Sequence, residues 1–166
     1  MGPLIRLASS SDLKAVAELN AEVQQLHVAS RPDQFKSPQL SELEQWFSQL
    51  LQNPAAKVWV ADISSVPVAY AVILVREGQE TPFSPARKWW NIDQLGVQAA
   101  HRRNGIARAL IGKIISEARA HDVAELELSS WAFNQNAHAV FASLGFVPKV
   151  VRFELNVSNY EPDARQ

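Results

Sequence analysis

The sequence contains no cysteine, and its four histidines are not spaced like metal ligands. The lack of thiols excludes disulfides, thiolate metal sites and cysteine nucleophiles. No two histidines show the short spacing of a zinc-binding pair. The sequence therefore predicts no protein-bound metal. The histidines are His27, His101, His121 and His138.

Strong net charge and long apolar runs are also missing. The 166 residues carry a formal charge of −1, with 47% apolar and 20% charged residues. A nearly neutral chain has no overall attraction to nucleic acid or to an acidic membrane, so any affinity for phosphate must be local. No apolar run approaches the ~20 residues of a membrane span. The N-terminal MGPLIRLASSSDL lacks a charged leader followed by a long apolar core, so we expect no signal peptide and a cytoplasmic protein.

Hydrophobic periodicity predicts alternating strands and helices without repeats or long linkers. The predicted order is β-α-α-β-β-β-α-β-α-β, which indicates a three-layer α/β/α domain with a mixed sheet. We expect one domain over residues 1–157, followed by a C-terminal tail over 158–166. Strands are predicted at 4–8, 57–63, 66–75, 88–97, 123–129 and 146–157; helices begin at Ser9, at Ser37 and Pro38, near Asn104 and at Asn134.

The stretch HRRNGIARAL, residues 101–110, lies where a strand turns into a long amphipathic helix. Cations at a helix start weaken the helix unless an anion normally binds nearby. Gly105 lets the backbone approach a ligand closely, and successive N–H groups there are able to cradle an anion. The alternative is a glycine-started helix with solvated arginines. The arginines concerned are Arg102, Arg103 and Arg108.

Two other phosphate-binding patterns are absent. The chain has no G-x-x-x-x-G-K-[ST], which excludes a P-loop enzyme, and no G-x-G-x-x-G of a dinucleotide fold. Instead, R-x-x-G-x-A at 102–107 follows a strand ending in LGV, and N-x-x-A-x-x-x-F-x-x-x-G-F follows at 134–146. This combination resembles the GNAT superfamily of acetyl-CoA-dependent N-acetyltransferases. The resemblance covers almost the whole chain in element order and is sharpest over residues 92–146.

The resemblance implies a site for acetyl-CoA as cosubstrate, in a three-layer α/β/α GNAT-like fold whose mixed sheet is partly splayed. Backbone groups of Leu95 and Val97 are expected to contact the pantetheine arm and the thioester carbonyl. Gly96 lies between them, where glycine in a strand indicates a bulge or a close backbone approach. The pyrophosphate is expected at the backbone amides of Arg102, Arg103, Asn104, Gly105, Ile106 and Ala107.

Three positions bear on catalysis. Asp93 lies where many relatives carry a glutamate base, and strand alternation predicts that it shares a face with Leu95 and Val97. The alternative is a structural or amine-recognising acid. Asn134 matches an asparagine that contacts the cofactor, although a simple helix N-cap is also consistent. Phe141 replaces the tyrosine that often serves as general acid, and it has no proton to donate.

The resemblance predicts acetyl transfer from acetyl-CoA to a primary amine of a small molecule, peptide or protein, by direct attack in a ternary complex. A CoA-binding regulatory module without transferase activity is the alternative, and nucleic-acid binding is disfavoured by the near-neutral charge. Relatives commonly form homodimers. The acceptor pocket is expected from the helix-loop-helix 20–50, the strand that begins at residue 88 and the loop after Ser129. The candidates are the segment 27–35, Trp89, Trp90, Trp131 and Phe133, and core or rim packing is the alternative for each tryptophan.

Overall fold

A computed structural model describes residues 2–160, which form five strands and four α-helices. The strands are β1 (Leu4–Leu7), β2 (Ala56–Ile63), β3 (Val66–Gly78), β4 (Arg87–Val97) and β5 (Leu126–Leu128). The helices are α1 (Leu13–Ser30), α2 (Leu40–Gln52), α3 (Ile106–Ala120) and α4 (Gln135–Ser143). Short 3-10 turns lie at Ser10–Asp12, Ala99–His101 and Val157–Asn159.

The five strands form one mixed sheet in the order β1-β2-β3-β4-β5. The first four are antiparallel neighbours, and β5 joins β4 in parallel. Ser64 and Ser65, between β2 and β3, both adopt positive φ (50° and 65°), as a two-residue hairpin turn requires. The predicted mixed sheet and its tight serine turn are confirmed.

Helices cover both faces of this sheet. Val16 and Leu19 of α1 and Phe47 of α2 pack on Val58, Val60, Tyr70 and Val72 of the sheet. On the other face lies α3, whose predicted stripe of Ile106, Leu110, Ile114 and Ala118 is buried. Strand β3 is buried on both faces from Val68 to Ile73, as expected of a central strand. The three-layer α/β/α architecture is therefore confirmed.

A partly buried ion cluster joins β1, β2 and the start of α1. The Arg6 guanidinium donates to both carboxylate oxygens of Asp12 at 2.7 and 2.8 Å, and its Nε donates to Asp62 at 2.8 Å. The Ser9 N–H donates to the Asp12 carboxylate at 2.8 Å, which confirms the predicted capping pattern. These bonds, with Arg6 the largest contributor, lower the pKa of Asp12 from 3.8 to about 2.

Strand β5 has three residues where 123–129 was predicted, β3 is three residues longer than predicted, and two helices have different ends. Helix α1 continues beyond Leu26 to Ser30 and ends where Arg31, preceding Pro32, leaves the helical region at φ −142°. Helix α2 was expected to begin at Ser37 and Pro38, but its N-cap is Gln39. The Glu42 carboxylate accepts the Gln39 N–H at 2.9 Å, and this capping bond fixes the helix start two residues later than predicted.

The chain divides into two compact units, one ending at Phe133 and the other beginning at Asn134. In the second unit Asn134 caps α4, because its side chain accepts the Ala137 N–H at 3.2 Å. The helix ends as predicted at Gly145, in the left-handed region at φ 92°, with the Phe146 N–H bonded to the Phe141 carbonyl at 3.1 Å.

The strand predicted over 146–157 is wrong: residues 146–156 form no regular element. Alternating apolar residues favour a strand, but a strand exists only where a partner supplies the ladder, and Pro148 has no N–H to donate. Ser158 and Asn159 of the predicted tail lie in a 3-10 turn, and residues 161–166 lie outside the described residues.

Candidate active site at the end of β4

Strands β4 and β5, the last two strands of the sheet, separate after Ile92. Their parallel pairing joins Trp90 to Leu126, Asn91 to Glu127 and Ile92 to Leu128, and there it ends. Strand β4 continues to Val97, and no other strand among residues 2–160 covers this part of its edge. The predicted partial splaying of the sheet is thus present, and it leaves this edge of β4 without a strand partner from Asp93 onward among the described residues.

A β-bulge lies at the point of separation. Val72 of β3 faces Gln94 and Ile73 faces Ile92, so Asp93 is an extra residue in β4 with no partner in β3. We predicted the bulge at Gly96, three residues further on. Because an inserted residue interrupts the two-residue period, the predicted alternation of Asp93 with Leu95 and Val97 does not continue through the bulge. Asp93 itself is exposed.

Leu95 and Val97 present backbone groups to the open edge. The Gln98 N–H donates to the Val68 carbonyl of β3 at 2.9 Å, so alternate residues back to Gln94 direct their N–H groups toward β3. The N–H groups of Leu95 and Val97 therefore point the other way, where β5 has ended. The Val97 carbonyl also faces this side and accepts a hydrogen bond from Arg102 Nε at 2.9 Å.

Gly96 allows a close approach between β4 and its neighbours, as predicted. A Cβ atom there would lie 2.5 Å from Cε1 of Tyr70 and 2.8 Å from Cγ2 of Val23. Both distances are far below van der Waals contact, so a larger residue would displace the Tyr70 ring. The glycine thus serves packing beneath the open edge, while the bulge belongs to Asp93.

The R-x-x-G-x-A motif forms the turn between β4 and α3. Gly105 is the N-cap of α3 and is left-handed at φ 77°, with open space where a Cβ would stand. Arg103 is also left-handed at φ 63°, a conformation that costs a non-glycine residue roughly 1 kcal/mol or more. No side chain of the described residues caps α3, so the N–H groups of Ile106 and Ala107 remain available to a ligand.

The two arginines of the motif differ in their surroundings. Arg102 donates from Nη2 to the Glu22 carboxylate at 2.7 Å, and the same carboxylate oxygen accepts the Ala99 N–H at 2.9 Å. Arg103 is exposed and has no ion pair with any residue in 2–160. Arg103 and the backbone amides therefore offer the unpaired positive charge at this turn, and Arg102 is already engaged.

These features suit an extended ligand that ends in an anion. The open edge of β4 offers N–H donors to a chain with amide and carbonyl groups, and the turn at Gly105 offers backbone amides and Arg103 to phosphate. Within the part of the chain that is described, no group of three or more histidine or acidic residues is arranged to hold a metal ion.

An aromatic cluster joins the end of α1 to the segment that follows β5. His27 of α1 contacts Phe35 and Phe133, with ring centroids 5.0 and 5.9 Å apart, and Trp131 contacts Phe35 at 5.1 Å. Burial lowers the pKa of the His27 imidazole, which favours its neutral form. The segment 27–35 and the loop after Ser129 thus come together as expected for an acceptor pocket.

Trp89 and Trp90, however, do not join this cluster. Trp90 is fully buried and faces His121 after the end of α3, with ring centroids 5.5 Å apart. The Trp89 ring lies 3.9 Å beneath the Arg87 guanidinium at the start of β4. Both are therefore packing residues at the end of β4 remote from Val97. Asp33, within the segment 27–35, forms an ion pair with Arg31 at 2.7 Å.

Four residues near the site were not predicted from the sequence. They are Asn20 and Glu22 of α1, Tyr70 of β3, and Gln94 of β4, whose side chain accepts hydrogen bonds. Asn20 Nδ2 donates to Tyr70 Oη and to Gln94 Oε1, both at 2.9 Å. The signal for Asn20 was available, because it interrupts the apolar stripe that includes Leu13 and Val16. Glu22 gave no signal, since its partner is 80 residues away.

The matching family model agrees with this geometry. The Acetyltransferase (GNAT) family matches residues 20–146, and the chain therefore belongs to that family. Proteins of this family generally use acetyl-CoA, which suits the open strand edge and the anion-binding turn described above. No curated protein matches the sequence significantly.

Solved structures share the fold over nearly their full length. A tetramutant of the BH1408 protein from Bacillus halodurans is 32% identical, with 93% of this chain and 99% of that chain covered and a TM-score of 0.88. An aminoglycoside antibiotic 6′-N-acetyltransferase from Acinetobacter haemolyticus is 24% identical over 93% and 99%, with a TM-score of 0.69. A transcriptional regulator from Bacillus halodurans C-125 is 16% identical over the same shares, with a TM-score of 0.75. The last two share the fold.

Within residues 2–160, no helix is long and apolar enough to span a membrane.

Proposed function

We propose that the protein is an N-acetyltransferase that moves acetyl from acetyl-CoA to a primary amine. The observation that carries this proposal is the open edge of β4. There the N–H groups of Leu95 and Val97 face no other strand among residues 2–160, and the left-handed turn at Gly105 follows closely. Family membership supports the same conclusion.

In this proposal the turn binds the diphosphate of acetyl-CoA. The backbone amides of Arg103 to Ala107 and the Arg103 guanidinium supply the donors, because the Arg102 N–H already donates to the Ala99 carbonyl at 3.3 Å. The edge residues Leu95 and Val97 hydrogen-bond the pantetheine arm, and one of their amides binds the thioester oxygen. A donor aimed at the developing oxyanion contributes roughly a few kcal/mol to the rate. Asn134, the cap of α4, is a further proposed contact to the cofactor.

Asp93 is the proposed proton acceptor. The neutral amine attacks the thioester carbon, a C–N bond forms and the C–S bond breaks. The proton of the attacking nitrogen passes to the Asp93 carboxylate, directly or through water. The thiolate takes its proton from solvent, because Phe141 stands where relatives often have a tyrosine. Its ring lies against Phe146, with centroids 6.0 Å apart.

A primary amine is the proposed acceptor class, and the aromatic cluster around His27 is its proposed pocket wall. One neighbour of the same fold is an aminoglycoside N-acetyltransferase, which supports amines as the class without naming the acceptor of this chain. A homodimer and a cytoplasmic location belong to the same proposal.

Calorimetry with acetyl-CoA and a CoA-release assay over a panel of amines test the proposal. We expect binding in the micromolar range and turnover with at least one amine. Asp93→Asn should lower kcat by about 100-fold or more and leave the Kd for acetyl-CoA unchanged. Absence of binding at millimolar acetyl-CoA contradicts the proposal.

A CoA-binding regulatory module is the second candidate, and the missing tyrosine at Phe141 is the observation that favours it. One protein of the same fold is a transcriptional regulator. Such a module binds acetyl-CoA through the same turn but releases no CoA with any amine. Amine-dependent CoA release with any acceptor rejects this second candidate.

A further inference from the structure

Three polar side chains from three elements form a closed ring of hydrogen bonds under the open edge of β4. Asn20 Nδ2 donates to Tyr70 Oη and to Gln94 Oε1, each at 2.9 Å. The Tyr70 hydroxyl donates to the same Gln94 oxygen at 3.2 Å. Both N–H groups of Asn20 and the hydroxyl of Tyr70 therefore have acceptors within the ring.

The ring lies in an otherwise apolar layer. Tyr70 is fully buried and Asn20 is 8% exposed, next to Val16, Leu19 and Phe47. Buried hydrogen bonds contribute little net stability, because the groups first lose their bonds to water. Such a ring instead fixes the relative positions of α1, β3 and β4, since any shift of one element leaves a buried donor or acceptor unpaired.

The element that this ring fixes is the bulged part of β4. Gln94 directly follows the extra residue Asp93, and the Tyr70 ring lies against Gly96 two residues later. From Asp93 to Gly96, the face of β4 toward α1 is thus held by these contacts, while the strand edge on the β5 side stays open. Burial raises the pKa of Tyr70 above its usual range and the Asp93 charge raises it further, so Tyr70 stays a neutral hydroxyl donor close to that carboxylate.

We propose that Asn20, Tyr70 and Gln94 are positioning residues, which direct the Asp93 carboxylate toward the attacking amine by fixing the bulge. This inference rests on the proposed function, because the ring acts on the reaction only through Asp93. The three residues touch neither acetyl-CoA nor the acceptor. Their removal therefore lowers kcat without weakening cosubstrate binding.

Tyr70→Phe removes the hydroxyl from the hydrogen-bonded ring, while the phenyl group keeps the contact with Gly96. We expect kcat to fall about tenfold and the Kd for acetyl-CoA to stay within twofold, since small displacements of a catalytic group have large effects on rate. Gln94→Met, of similar length, should behave in the same way. The matched control is Tyr160→Phe, because Tyr160 is 58% exposed and lies outside the ring. A loss of acetyl-CoA affinity equal to the loss of kcat contradicts positioning.

A double-mutant cycle separates positioning from a general structural effect. If Tyr70 acts through Asp93, Tyr70→Phe should lower kcat less than twofold in the Asp93→Asn background. An equal tenfold loss in both backgrounds overturns the inference.

Hydrogen exchange gives a readout that does not depend on turnover. In Tyr70→Phe the amides of Gln94 and Gly96 should exchange at least tenfold faster than in the wild type, while the amide of Val60 in β2 stays protected. Unchanged exchange at Gln94 shows that the hydrogen-bonded ring does not fix the bulge, and the inference is then wrong. That conclusion holds even if Asp93→Asn is inactive, because the activity of this variant tests the proposed base and not the ring. Faster exchange together with a fully active Asp93→Asn variant instead contradicts the proposed base.

Discussion

Arg102, within the turn motif, is bound to Glu22 of α1, 80 residues earlier in the chain, with Nη2 and Oε1 2.7 Å apart. The same oxygen accepts the Ala99 N–H at 2.9 Å, and Arg102 Nε donates to the Val97 carbonyl at 2.9 Å. Arg102 therefore ties α1 to the end of β4 and to the turn. Its role is to hold the turn in place, which leaves Arg103 as the cation presented to a ligand.

Glu22→Ala should reduce stability because it removes two acceptor contacts from the turn. Glu22 and Arg102 are partly exposed, so we expect a loss of about 0.5–1 kcal/mol in the free energy of unfolding. Glu18→Ala is the control, since Glu18 lies one turn earlier and only approaches Lys14 at 4.0 Å. Urea denaturation measures both. A coupling energy near zero between Glu22→Ala and Arg102→Ala contradicts the tie.

Arg103→Ala should weaken acetyl-CoA binding about tenfold, because it removes the unpaired cation next to the left-handed turn. Calorimetry at low salt measures the change. Arg119→Ala removes an exposed arginine from the far end of the same helix and should leave the Kd unchanged. The same affinity loss in both variants indicates long-range charge instead of a local phosphate contact.

Gly96→Ala should destabilise the protein by about 1–3 kcal/mol, because the new Cβ overlaps the Tyr70 ring and Val23. Gly112→Ala is the matched control on α3. Apart from its chain neighbours and the backbone of its own helix, no atom of residues 2–160 lies within 4 Å of its Cβ position. Alanine should therefore stabilise the helix by about 0.5–1 kcal/mol. Chemical denaturation of both variants tests the pair. A neutral Gly96→Ala means that β4 can move away from Tyr70.

Asp12 should make the fold sensitive to acid. Its pKa is lowered from 3.8 to about 2, mainly by Arg6, so its stabilisation is present above pH 3.8 and is lost as pH falls through about 2. We expect the wild type to lose about 1–2 kcal/mol more than Asp12→Asn between about pH 5.5 and pH 2. Asp122→Asn is the control, because Asp122 is exposed and asparagine tolerates its φ of 54°. Parallel pH profiles for Asp12→Asn and the wild type contradict the assignment.

Much of the fold followed from local patterns. The apolar stripe of α3, the Ser64–Ser65 turn and the strands on either side of it were predicted, because their periodicity and turn chemistry agree with their tertiary contacts. The C-terminal strand failed for the opposite reason. Its alternation is clear, and Phe153 is nevertheless 90% exposed, because local preference cannot supply the partner that a strand needs.

The candidate site divides in the same way. Gly105 and the arginines are adjacent in the chain, so a single motif was enough to predict the turn. The bulge at Asp93 depends on register with β3, which no residue in β4 specifies by itself. The ring of Asn20, Tyr70 and Gln94 joins positions 50 and 74 residues apart, and only the folded arrangement brings them together.

The exposed edge of β4 has a consequence for sequence drift. Its donors are main-chain N–H groups of Leu95 and Val97, and every amino acid except proline provides the same group. Substitutions at these two positions can therefore accumulate over evolution while the edge keeps its hydrogen-bonding chemistry. Ligand recognition of this kind depends on the path of the backbone, so it persists when the side chains at these positions change.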